Sequence, residues 1–256
     1  MRDLACVSDQ ALPKGQALPK GQVFRLPQLL GLPMATIVIT GCDTGLGVEF
    51  ARQYVAEGHR VHATCLDPHS ADETRAIAGD ITVSKLDVTD HAAIEAFAES
   101  LGGASVDILL NNAGIGRPHP PFGQTDYPNW RRILETNLIG PMKLAECLVE
   151  NVAASEHKTM AFVSSRMGSI TLNNSGGSYA YRSSKAGLNM VVKTLAVDLA
   201  PRHISVIALH PGWAATEPGG RVPVAESVAG MRGVLHRAGR HHTGIFQTYH
   251  DQPLPW

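Results

Sequence analysis

One strand and the turn behind it constrain this chain more than any other feature. Residues 35–40, ATIVIT, are short, β-branched and apolar on both faces, as in a strand buried within a parallel sheet. They run straight into T-G-C-D-T-G-L-G (40–47) and then LGVEFARQYVAEG, whose apolar spacing is helical and whose Gly58 is placed to cap it. A turn of this kind needs glycine at set points. Gly41 permits the sharp bend, Gly45 lets backbone N–H groups approach a pyrophosphate, and Gly47 lets the helix pack close to the sheet. Phosphate then sits at the positive end of the helix dipole. Tight turns want glycine with or without a ligand, but the position after the first buried strand points to a nucleotide site.

The alternation continues along the chain. RVHATC (60–65) and ITVSKLDV (81–88) read as strands, a helix spans 90–101, and VDILLNNAG (106–114) is a fourth strand running into a turn. A long helix is expected over 126–154, followed by the strand TMAFVSS and a helix from about residue 178 that Pro201 ends. The strand ISVIALHPG, a helix over 224–236 and the strand GIFQTY complete the pattern. Strands separated by helices imply right-handed crossovers. The expected fold is therefore α/β: a single doubly wound Rossmann domain over 34–256, its mostly parallel sheet of about seven strands covered by helices on both faces.

Bulk properties narrow the function. The chain has 256 residues, 44% of them hydrophobic, and a formal net charge of -1, so neither nucleic acid nor a membrane is an expected partner. No apolar run approaches the length of a membrane span. Cys6, Cys42, Cys65 and Cys147 form no C-x-x-C and read as free thiols in a reducing cytoplasm. His241-His242 is the only adjacent histidine pair and lacks metal-ligand spacing, so it reads as surface and no metal is expected. Residues 1–33 stand apart: ALPKGQ occurs at 11–16 and again at 17–22, with no signal-peptide pattern. They read as a flexible extension, or as sequence upstream of a start at Met34.

In GGSYAYRSSKAGLNM, Tyr181 and Lys185 stand four apart, on one helix face, with a rise of about 6 Å between them. Tyr179 points elsewhere and reads as packing or pocket lining. An isolated Y-x-x-x-K is better explained by an amphipathic helix edge. Here it accompanies the G-x-x-x-G-x-G turn, Asn111-Asn112-Ala113-Gly114, Ser164-Ser165, and Pro211-Gly212-x-x-x-Thr216, each at a strand end. In this order the set resembles the short-chain dehydrogenase/reductase family over essentially 34–256. The run YAYRSSKAGLNM and the ending GIFQTYHDQPLPW look most like its C-factor and sniffer-type carbonyl reductases.

The resemblance implies an oxidoreductase moving hydride between NAD(P)(H) and a small carbonyl or alcohol substrate. Tyr181 would be general acid for reduction and base for the reverse; a free phenol near pKa 10 needs help near neutrality, and the Lys185 ammonium favours its phenolate. Lys185 would also bond the nicotinamide ribose. Ser165, the serine that precedes Arg-Met-Gly, would hold the substrate oxygen, and Asn137 would anchor a water leading protons to Lys185. Ser165 as a strand-end cap and Asn137 as a helix-kink residue are the plainer alternatives. Asp87 and Val88 match the adenine contact; the alternative for Asp87 is a strand-end cap for the following helix, a need that Asp90 already serves. Asn111, Ala113 and Gly114 match the adenosine turn, and Pro211, Gly212 and Thr216 the nicotinamide loop.

Cofactor choice is read after the second strand, where an acid would bond the NAD ribose and an arginine the NADP phosphate. Cys65 and Leu66 occupy those places, Asp67 comes one residue late, and Thr44 stands where NADP-preferring relatives often carry a base. Neither rule is met; the resemblance alone leans to NADP(H) over NAD(H). EPGGRVPVAES after Thr216 is expected to cover the substrate, with Arg166, Met167 and Trp213 nearby. A homodimer or homotetramer is expected, from the family and from the many apolar residues (Leu138, Ile139, Met142, Leu144, Val191, Leu195) on two helices. The alternative from another class is a nucleotide-binding regulatory protein of this fold with little turnover.

Overall fold

A computed structural model describes residues 34–116, 120–216, 219–238 and 242–256. The expectations for residues 1–33 and for His241 lie outside the described residues. In chain order the elements are β1 Thr36–Thr40, α1 Gly45–Ala56, β2 Arg60–Cys65, α2 Asp72–Arg75, β3 Ile81–Lys85, α3 His91–Ser100 and β4 Ile108–Asn111. After these come α4 Tyr127–Leu134, a π-helical segment Glu135–Ile139, α5 Gly140–Ala153, β5 Thr159–Val163, α6 Tyr179–Asp198, β6 Ser205–His210, α7 Val224–His236 and β7 Ile245–Thr248. The seven strands form one sheet in the order β3-β2-β1-β4-β5-β6-β7, and every pair is parallel. The fold is the doubly wound Rossmann type.

Alternation along the strands decides which layer each side chain joins. Ile37 and Ile39 of β1, Ile108 and Leu110 of β4, and Ile207 and Leu209 of β6 pack with Phe50 and Tyr54 of α1 and with Met231 and Leu235 of α7. The intervening Val38, Leu109, Val206 and Ala208 pack with Phe97 of α3, Leu144 and Leu148 of α5, and Leu188 and Val192 of α6. Both faces are dry, which is why the strands read as continuous apolar runs. Each such side chain contributes about 1.5–3 kcal/mol by burial. Strand order reverses between β1 and β4, so the chain leaves their C-terminal ends in opposite directions and opens a crevice there.

Two expectations change. The third strand stops at Lys85 instead of Val88, because the Asp87 carboxylate accepts from Thr89 N at 2.9 Å and turns the chain. A short helix, α2, lies in the connection between β2 and β3. The helix expected over 126–154 starts with Asp126 capping Asn129 N, but it is broken by the π-helical segment 135–139. Pro141 has no N–H to give the Asn137 carbonyl four residues back, and its ring would clash with that carbonyl in a regular helix. Gly140, next to it, lies so close to β3–α3 that an added Cβ would meet Val88 O at 2.2 Å.

Candidate active site

The crevice is built first by backbone. Gly41 has φ 70, in the left-handed region, and a Cβ there would sit 2.7 Å from Ala113 Cα. The Thr40 hydroxyl accepts from Asn112 N at 3.1 Å and Ala113 N at 3.0 Å. Asn112 Nδ2 donates in turn to Thr40 O at 2.9 Å and Gly41 O at 3.1 Å. These bonds hold the ends of β1 and β4 together around the glycine turn. At the start of α1, Thr44 makes no side-chain cap and no acidic residue lies in the first turn. By contrast, Asp90 and Asp126 cap α3 and α4. Uncapped N–H groups at the positive end of a twelve-residue helix fit a pyrophosphate.

A cavity of about 520 Å³ extends from this turn to α6. Of the residues expected from sequence, Gly41, Thr44, Gly45, Leu46, Leu66, Asp87, Val88, Ala113, Gly114, Tyr181, Lys185, Pro211 and Thr216 line it. Gly47, Asn111, Asn137, Ser165 and Gly212 are not part of its lining. Gly47 supports the turn from beneath, since a Cβ there would meet Gly41 O at 2.1 Å. Asn111, at the end of β4, is buried, and its neighbour Asn112 lines the cavity in its place. Asp43, Leu86, Thr89, Ile115, Arg132 and Thr136 also line the cavity and were not singled out in the sequence. Asp43 was visible inside the glycine turn; Arg132 and Thr136 lie on α4 and the π segment, where no local pattern marks them.

Tyr181 and Lys185 face the same cavity, with Lys185 Nζ 5.9 Å from the centroid of the Tyr181 ring. Lys185 is buried, and its Nζ donates to Val163 O at 2.8 Å. Burial lowers its pKa from 10.5 to about 8. Tyr179 is turned away: it packs on Phe122 at 6.4 Å between ring centroids and lines a separate recess with Met167 and Arg182.

The two serines differ in what their hydroxyls do. Ser164 is buried, and its Oγ lies 2.6 Å from Asn189 Oδ1, an acceptor, so its only proton is committed. Ser165 accepts from Met167 N at 3.2 Å, capping the single 3₁₀ turn Arg166–Gly168, and keeps its own proton for another acceptor. Gly168 lets that turn lie against α6, because a Cβ there would meet the Lys185 backbone at 2.7 Å. Asn137 lies in the π segment with both side-chain donors committed: Oδ1 accepts from Ile115 N at 2.8 Å, and Nδ2 donates to Ile115 O and Ser184 Oγ, both at 3.1 Å. It thereby fixes the backbone just after Gly114. Past β6, Arg221 N and Val222 N both donate to Trp213 O, closing a loop beside Thr216; Glu217 and Pro218 lie outside the described residues.

At the opposite end of the sheet, Glu57, His59 and His236 place ligand-type atoms within 4.8 Å of one another. His59 Nδ1 accepts from Ala35 N at 3.2 Å, so the ring hydrogen is on Nε2 and that atom offers no lone pair to a metal. Cys42, Cys65 and Cys147 are free thiols, and His242 is exposed. Among the described residues, no helix is long and apolar enough to cross a membrane.

A glycine turn at an open helix N-terminus and a crevice at the switch point of the sheet are the features of a dinucleotide site in a doubly wound fold. Residues 35–225 match the short chain dehydrogenase family. The chain is 37% identical over 166 residues to the C-signal protein of Myxococcus xanthus, covering 64% of this chain and all of that protein. It superposes on the carbonyl reductase Sniffer of D. melanogaster with a TM-score of 0.81 at 29% identity, and on an NADPH-bound carbonyl reductase from chicken fatty liver with 0.80 at 29% identity. Each superposition covers 88% of this chain and the whole of the other. The chain belongs to the short-chain dehydrogenase/reductase family and is an oxidoreductase.

Proposed function

We propose that this protein reduces small aldehydes or ketones, or oxidises the corresponding alcohols, with Tyr181 as general acid and base. One observation carries the reading: Tyr181 and the buried Lys185 share the cavity that begins at the glycine turn. The nicotinamide cofactor, when bound, would supply or accept the hydride. Gly41, Gly45 and the N-terminus of α1 would hold its pyrophosphate, Asp87, Val88 and Ala113 its adenosine half, and Pro211 and Thr216 its other end. Tyr181 gives its phenolic proton to the substrate oxygen, and the Lys185 ammonium stabilises the phenolate left behind. Ser165 donates to the same oxygen as charge develops there. With both side-chain donors of Asn137 bonded, a water it anchors toward Lys185 is held by a carbonyl oxygen, that of the side chain or that of its main chain in the π segment.

The NADPH-bound carbonyl reductase among the neighbours supports NADP(H) as the carrier, while the side chains at the end of β2 bear on the choice directly. A regulatory protein that only binds the nucleotide has no use for the full Ser165–Tyr181–Lys185 set. The irregularly spaced thiols support a cytoplasmic setting. A homodimer or homotetramer is supported by Ile139, Met190 and Val197, exposed on the π segment and α6, although Leu144 and Leu195 turn out to be core. Light scattering at micromolar concentration tests the assembly. For the activity, NADH and NADPH oxidation is followed against aldehydes, ketones and quinones. Tyr181→Phe should lose nearly all turnover with cofactor affinity kept, and Tyr179→Phe little. A dead Tyr179→Phe beside an active Tyr181→Phe would sink the assignment.

A further inference from the structure

Among the described residues that line the cavity, Asp43, Asp87, Arg132 and Lys185 carry charge. Only Asp43 reaches the end of β2. Its Oδ1 accepts from Leu66 N at 2.9 Å and from Asp67 N at 3.2 Å. Its Oδ2 has no protein partner among the described residues. The two bonds join the glycine turn to the first residues after β2, so the carboxylate is held where an acid at the end of β2 would otherwise stand. Its charge is felt there: burial and then Asp43 push the Cys65 thiol up to about 12.

Among the described residues, no other charged side chain takes the position. Asp67, the acid one residue late, accepts from His69 N at 3.0 Å within its own turn and does not line the cavity. Leu66 is exposed there and uncharged. Lys85, beside Cys65 in register, and Arg75, bonded to Asp72 and to His69 O, are outside the lining. An acid at this place accepts from the 2′-hydroxyl of an adenosine ribose, and it repels a phosphate on that oxygen.

We infer that Asp43, from within the glycine turn, selects the cofactor and selects NAD(H): its free carboxylate oxygen accepts from the adenosine 2′-hydroxyl and excludes a 2′-phosphate. This rests on the reading of the cavity as a nicotinamide dinucleotide site. It runs against the lean to NADP(H) that the relatives suggest, because the relevant charge sits on a different element from the one where it is ordinarily sought.

Fluorescence titration with NADH and NADPH, and calorimetry with AMP and adenosine 2′,5′-bisphosphate, test the inference without turnover. The unmodified protein should bind NADH about tenfold more tightly than NADPH at low ionic strength. The ratio should narrow as salt screens the carboxylate. Asp43→Asn keeps an oxygen for both backbone N–H groups and removes the charge. NADPH should then tighten about tenfold while NADH weakens by no more than about threefold. The AMP pair should follow the same order. NADPH bound as tightly as NADH by the unmodified protein, a ratio indifferent to salt, or an unchanged ratio in Asp43→Asn overturns the inference. Were neither dinucleotide to bind the unmodified protein, the proposed function would fall and the role of Asp43 with it.

Discussion

Replacing Lys185 by methionine should make the protein more stable and nearly inactive. Lys185 is 4% exposed within α6, and burial brings its pKa from 10.5 to about 8. The unfolded chain keeps that proton to about pH 10.5, so at pH 7 folding confines a charged ammonium at a cost of about 3 kcal/mol, at roughly 1.36 kcal/mol per pH unit between the two values. Methionine retains an unbranched apolar stem and removes the charge. It also forfeits the 2.8 Å bond from Nζ to Val163 O, worth about 1 kcal/mol. A net gain of about 2 kcal/mol at pH 7 follows, or a rise in Tm of about 4–8 °C. The pH dependence has a definite sign. Below pH 8 both states of the unmodified protein hold the proton and the penalty is complete. Between about 8 and 10.5 the unfolded state binds more protons than the folded one, so stability rises with pH and the penalty disappears. Urea titrations of both proteins at pH 7 and near pH 10 should therefore show the advantage of Lys185→Met shrinking to nothing or reversing, while turnover falls at least about a hundredfold. A variant less stable than its parent at pH 7, or a difference that does not change with pH, refutes the reasoning.

Three further outcomes are expected. Gly47→Ala would drive a Cβ to 2.1 Å from Gly41 O and 2.8 Å from Gly41 C, both backbone, so the whole turn must shift. The variant should lose about 1–3 kcal/mol of stability and at least tenfold in NADH affinity, whereas unchanged affinity would mean the turn does not hold the pyrophosphate. Leu66→Arg should raise NADPH affinity by about tenfold, the low end for a charge-assisted phosphate contact because Asp43 competes for the guanidinium; an unaltered NADPH constant would contradict it. A chain beginning at Met34 should match the full chain in melting temperature and rate, since residues 1–33 carry no packed-element pattern, and a large fall in either would show that they take part.

The alternation of buried strands and helices, the glycine turn and the Tyr181–Lys185 spacing were legible in the sequence because each is set by short-range periodicity and local backbone demands. A helix places i and i+4 together whatever surrounds it, and a dry strand is apolar on both faces in any parallel sheet. The break at Glu135–Ile139 was written in Pro141, but its consequence needed the sheet: only packing against Val88 shows how close the helix is drawn there. Tertiary contact alone decided the rest. Asn112, not Asn111, turned toward the cavity because Asn112 is bonded across 72 residues to Thr40. Asn137 spends its side chain on Ile115 and Ser184, and Leu144 and Leu195 face the core instead of a partner. Nothing local marks Asp43 among the glycines of the turn; folding brings it to the backbone of Leu66, 23 residues on. Sequence pattern records which residues share a face of one element; which elements meet, and whose charge then dominates the meeting point, is fixed only when the sheet assembles.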